Sequence, residues 1–181
     1  MTDTDLPRDP GLPFFPCRTI DADFFESAPV RYVRRTRVEI SAERLFEVFE
    51  DPDSWPQWAM GIGEVEWTSP KPYHPGTTRT VRFWGGMSVY EDFFVFDSPN
   101  EMAFRFYGIS EKIWSAFGER YRVTALGPDA CELEWTVAFE PAGFLKTFGW
   151  LTRPAFALNF HLYMALLRRY CRRLPPASET P

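Results

Sequence analysis

The sequence predicts an α+β domain in which a curved, seven-stranded antiparallel sheet wraps one long C-terminal helix and encloses an apolar cavity. Three observations predict it. The middle of the chain alternates with period two, its last stretch before the tail carries a single apolar helical stripe, and aromatic residues make up 18% of the 181 residues. Bulky rings close a core with few residues, and they also line sites for apolar ligands.

The first strand is expected over residues 32–40, with Thr36, Val38 and Ile40 on one face. Ser41 then stands where an N-cap belongs, ahead of a helix over 42–50 that buries Leu45, Phe46, Val48 and Phe49. Asp51, Pro52, Asp53 and Ser54 end that helix and start a second short one over 55–60. Beyond Gly61 and Gly63 the period turns extended. Strands follow over 64–68, 77–84, 87–97, 102–107, 117–126 and 131–139, with Gly85-Gly86 as the turn of the central hairpin. In the last strand Leu133, Trp135 and Val137 share one face while Glu132, Glu134 and Thr136 share the other, so one face is buried and one is wet. Pro154 suits a first helical turn, and the helix it opens runs to about residue 174 with Phe156, Phe160, Tyr163, Met164, Leu167, Cys171 and Leu174 in one arc.

This gives one folded domain over 31–174, a partly ordered N-terminal extension over 1–30 and a disordered tail over 175–181. In the extension, Phe14, Phe15, Phe24 and Phe25 are the residues that need a surface to cover.

Bulk properties exclude several functions. A net charge of −5 disfavours nucleic acid, whose binding needs a basic surface to displace counterions. The three cysteines, Cys17, Cys131 and Cys171, suggest neither a disulfide framework nor a zinc site. No signal-peptide or transmembrane pattern occurs, so a cytoplasmic protein is expected, with no metal and no bound cofactor. Nor is there a glycine-rich phosphate loop, and Ser110, Ser115, His74 and His161 form no placeable nucleophile, base and acid set.

One strand, two short helices, six strands and a long helix is the element order of the helix-grip fold. The local residues agree. Val38-Glu39-Ile40-Ser41-Ala42-Glu43-Arg44-Leu45-Phe46, followed by Asp51-Pro52-Asp53-Ser54-Trp55-Pro56-Gln57-Trp58, resembles the opening of the polyketide cyclase/dehydrase branch of the START-like (SRPBCC) superfamily. Tyr90-Glu91-Asp92-Phe93-Phe94-Val95-Phe96-Asp97-Ser98-Pro99 is similar to its central strand, and residues 118–123 and 134–141 resemble its last two strands. The resemblance implies a cavity between sheet and helix that takes a hydrophobic or amphipathic small molecule.

Alternation assigns the inward residues. With a two-residue loop at Gly85-Gly86, Val81 opposes Tyr90 and Arg79 opposes Asp92, so Arg79 and Asp92 meet inside beside Glu119. Two readings stay open: these groups tie strands together, or they hold the polar end of a ligand. In the second reading the ligand's body lies among Trp67, Val81, Phe83, Tyr90, Phe94, Phe104, Phe106, Tyr121, Trp135, Phe160, Tyr163 and Met164, with Trp84, Met87, Phe148 and Trp150 at the mouth. If the protein is an enzyme, Arg79 would polarise a carbonyl while Asp92 or Glu119 moves a proton. A third reading is a protein-interaction module using residues 144–151. Leu158, Leu162 and Leu166 lie off the main stripe and mark a candidate homodimer contact.

Overall fold

The computed structural model describes residues 6–175, with side chains at 148–156 left aside. In chain order the elements are β1 (Phe15–Pro16), α1 (Phe24–Ser27), β2 (Val30–Val38), α2 (Ala42–Glu50), α3 (Trp55–Trp58), β3 (Ile62–Trp67), β4 (Thr78–Phe83), β5 (Ser88–Asp97), β6 (Glu101–Ile109), β7 (Trp114–Gly127), β8 (Ala130–Pro141) and α4 (Gly143–Cys171). Seven strands form one antiparallel sheet in the order β2-β8-β7-β6-β5-β4-β3, and the two-residue β1 adds to β6.

Ser41 caps α2 as its position demands, its side chain accepting from the Arg44 amide at 3.2 Å. Leu45, Phe46 and Phe49 of α2 and Trp55 and Trp58 of α3 bury against the concave face of the sheet, where they meet Tyr121, Leu133 and Trp135. Phe160, Met164, Leu167 and Cys171 of α4 complete that core. The helix starts at Gly143, eleven residues before Pro154, so the apolar stretch expected to link strand and helix is itself helical and the proline lies inside, where it forgoes one backbone bond.

The convex face is covered as well. Ile20, Phe24 and Phe25 pack on Ala103, Ala116 and Ala138, three small residues of β6, β7 and β8 that let α1 sit close. Where β6 and β7 diverge, the N-terminal segment fills the gap: the Cys17 amide donates to the Tyr107 carbonyl at 3.1 Å and the Arg18 amide to the Ser115 carbonyl at 2.7 Å. Phe14 lies over Gly108, where a Cβ would stand 2.0 Å from its ring. Upstream, Asp9 binds Arg82 through both carboxylate oxygens at 2.6–3.1 Å, accepts from Ser88 at 2.8 Å and donates its amide to the Tyr90 hydroxyl.

Candidate functional site

The site is set by the register of β4 against β5. Gly85 and Gly86 both have φ near 92°, and the Phe83 amide donates to the Met87 carbonyl at 2.8 Å, so three residues, 84–86, form the loop. A three-residue loop shifts the pairing by one from the two-residue expectation. Val81 opposes Val89 and Arg79 opposes Glu91, while Asp92 opposes Thr78. A one-residue slip exchanges the faces of a strand, so Glu91 and Phe93 point inward in place of Tyr90, Asp92 and Phe94.

Each displaced residue has a partner on the convex face. Asp92 accepts from Arg105 at 2.6 and 3.0 Å, Tyr90 lies between Phe14 and Tyr107, and Phe94 stacks on Phe25 at 6.0 Å. Trp67 and Met164 also stay out of the cavity wall. Trp67 stacks on Tyr73 at 4.0 Å and gives its indole N–H to the Glu50 carbonyl, and Met164 is buried in the core below.

The remaining predicted residues converge. Val81, Phe83, Phe104, Phe106, Tyr121, Trp135, Phe160 and Tyr163 line a cavity of about 190 Å³ between the sheet and the helices α3 and α4, together with Arg79 and Glu119. Met87 borders it too, whereas Trp84 projects from the hairpin tip, 70% exposed. Phe148 and Trp150 lie outside the described side chains. Glu91, Trp55, Trp114, Phe117, Val137 and Asn159 are further wall residues. Of these, Phe117 and Val137 share the inward phase of their strands and were legible from alternation.

Two ionic groups occupy this apolar wall, and they differ in kind. Glu91 holds the Arg79 guanidinium with one oxygen, at 2.6 Å from Nε and 2.5 Å from Nη2, and both side chains are almost wholly buried. Rings of Trp55, Trp67, Phe93 and Phe104 surround the guanidinium at 4.4–5.1 Å. Its Nη1 is buried with no hydrogen-bond partner, and the rings around the guanidinium make a cation–π arrangement. Burial pushes the Glu91 carboxyl up to about 6, against the pull of Arg79 beside it.

Glu119 is the open group. The Tyr121 hydroxyl at 2.5 Å and the Trp135 indole N–H at 2.9 Å both reach its Oε2. An indole N–H can only donate, so Oε2 is the acceptor of that bond. The second Glu119 oxygen has no hydrogen-bond partner among the described residues, and Glu119 lines the cavity. Burial, reinforced by the nearby Glu91 charge, pushes the Glu119 carboxyl up to about 7, opposed by its hydrogen bonds to Tyr121 and Trp135. A carboxyl in this state can give or take one proton at neutral pH. His74 and His161 are both exposed, His161 accepting from Arg34 at 3.1 Å, and neither reaches the site.

No helix among the described residues is long and apolar enough to cross a membrane. Uncharacterized proteins of Mycobacterium tuberculosis and Mycobacterium bovis are 40% identical to this chain over 156 residues, 86% of this chain and 93% of theirs. Among solved structures, the Zhui aromatase/cyclase from Streptomyces sp. R1128 superposes with a TM-score of 0.66 at 15% identity, covering 83% of this chain and 99% of its own. A START superfamily protein from Mycobacterium smegmatis superposes at 0.54 with 16% identity, covering 75% and 98%. At those identities the superpositions speak for the helix-grip fold alone. Residues 29–171 match the family described as polyketide cyclase/dehydrase and lipid transport, and with more than three quarters of its length inside that match the chain belongs to this family.

Proposed function

We propose that the chain binds a hydrophobic or amphipathic small molecule in the cavity, with the polar end of the ligand at Glu119. The observation that carries this reading is an aromatic-walled cavity in which an ionisable group keeps one oxygen without a protein partner. Concave, mostly apolar sites with few polar groups are how proteins hold such ligands. Glu91 takes Nε and Nη2 of Arg79, and the pair shapes the wall. Native mass spectrometry of the full chain with fatty acids, sterols and polyphenols is expected to show one bound molecule for at least one class. Retention of no apolar probe at all would contradict the reading.

Acid/base catalysis is the second reading, favoured by burial pushing the Glu119 carboxyl up to about 7 in the cavity wall. In a dehydration, ionised Glu119 would take a proton from the carbon next to a carbonyl. The carbon–carbon double bond forms as the neighbouring C–OH bond breaks, and the same oxygen returns its proton to the departing hydroxide as water. With a β-hydroxy ketone that is turned over, Glu119→Gln should cut kcat by at least 100-fold while leaving binding largely intact; an active Glu119→Gln would remove this mechanism. Asp92, on the convex face with Arg105, has no part in it.

A further inference from the structure

The size and make-up of the cavity narrow its occupant. An apolar cavity of about 150 Å³ suffices for benzene, whereas sites for drug-sized ligands span about 300–1,000 Å³. At about 190 Å³ the present one falls just above the first figure and well below the second. Its wall is a run of nearly parallel rings: Phe104 and Phe106 are inclined by 13°, Phe106 and Phe117 by 11° with centroids 4.2 Å apart, and Tyr121 and Trp135 by 23°. Phe160 meets Trp135 edge-on at 4.8 Å. Rings prefer offset-stacked or edge-to-face partners, so such a wall suits a flat aromatic body better than a flexible chain.

From these features we infer that the occupant is a small, flat aromatic of one or two fused rings carrying a hydroxyl or N–H group that donates to Glu119, rather than a long-chain lipid or an extended polyketide. This rests on the cavity being the ligand site. The donor requirement follows from the hydrogen bonding: Glu91 takes Nε and Nη2 of Arg79, whose unpartnered Nη1 is buried, while Glu119, which lines the cavity, spends only Oε2 on protein donors. A bond to an ionised carboxylate is roughly twice as strong as a neutral one. A donor-bearing ligand therefore gains on the ionised form, while a purely apolar ligand of the same shape gains nothing from it.

The titratable groups facing Glu119 are Arg79 on β4, Glu91 on β5, Tyr121 on β7 and Tyr163 on α4. Both tyrosines are raised further by burial and keep their protons across the neutral range, whereas Glu91, pushed up to about 6, also titrates within the window, so the Glu119→Gln comparison assigns any rise to Glu119. The test uses 2-naphthol, naphthalene and palmitate as probes, with binding to the full chain followed by tryptophan fluorescence or calorimetry. The expected result is one saturable site for 2-naphthol and weaker binding of palmitate. The affinity ratio of 2-naphthol to naphthalene should rise roughly fivefold between pH 5.5 and pH 8, and that rise should vanish in Glu119→Gln. Where Glu119→Gln fails to fold, the ¹³C titration of the Glu119 carboxyl in the parent chain supplies the assignment: a rise in the ratio whose midpoint departs from that of Glu119 would overturn the donor to Glu119. Palmitate binding tighter than 2-naphthol would overturn the size class and leave the cavity reading standing. A pH-independent ratio would overturn the donor to Glu119, and failure of all three probes would count against both this inference and the ligand site itself.

Discussion

Replacing Arg79 by Met alone is expected to lower stability by about 3–5 kcal/mol, because it leaves Glu91 as a buried charge with no counter-ion. For a chain of this length that is a fall in Tm on the order of 10 °C. The double replacement Arg79→Met with Glu91→Leu should recover most of the loss, since hydrophobic residues of similar volume often replace a buried ion pair without cost. The rings of Trp55, Phe93 and Phe104 already offer the apolar surroundings such residues need. Denaturant unfolding of the two single variants and the double variant measures the coupling. Additive losses would mean that the two side chains do not meet in solution.

Phe25→Ala is the second large effect. Phe25 is fully buried on the convex face, stacked on Phe94 at 6.0 Å and capped by the Arg120 guanidinium at 4.9 Å. Truncating such a ring costs about 3–5 kcal/mol, a loss readable as a lower denaturant midpoint. Leu12→Ala, at a position 41% exposed, should change stability by less than about 0.5 kcal/mol. A Phe25→Ala chain as stable as its parent would show that the N-terminal extension does not hold the sheet. In the structure that extension also reaches the site's own hairpin, through Asp9 on Arg82 and Ser88 beside the wall residues Val81 and Met87.

That extension also explains where the sequence misleads. Alternation identifies an inner face when the other face is wet, and it works on β8, where Leu133 and Trp135 alternate with Glu132 and Glu134. It works on β6 and β7 as well, because Arg105 and Arg122 mark their outer faces. On β5 it fails. Tyr90 and Phe94 are apolar for a reason of their own, being covered by Phe14 and Phe25, so both faces of the strand read as core. The choice then falls to the hairpin loop, and two consecutive glycines do not say whether they form the whole loop or the end of a three-residue one.

One residue of register moved the acid from Asp92 to Glu91 and sent Asp92 to Arg105 outside. Arg79 and Glu119 were legible because each sits on a strand whose phase other residues fix. The cation's aromatic cage was not, since it joins rings from α3, β3, β5 and β6 that only the folded sheet brings together. The early start of α4 was missed for a simpler reason. A proline suits a first turn, yet the residues before it continue the helix back to Gly143.

The central claim is that Glu119 is a carboxyl held in an apolar cavity with one oxygen open to a ligand. It keeps its proton to higher pH in the folded chain than in the unfolded one, so its contribution to stability declines as pH rises from about 4.5 to about 7. The direct measurement is the ¹³C chemical shift of the Glu119 side-chain carboxyl, followed by NMR from pH 4 to pH 9 in the full chain and assigned with Glu119→Gln. A midpoint near 7, displaced when 2-naphthol is added, is the predicted result; a midpoint near 4.5 that ignores every ligand would contradict it.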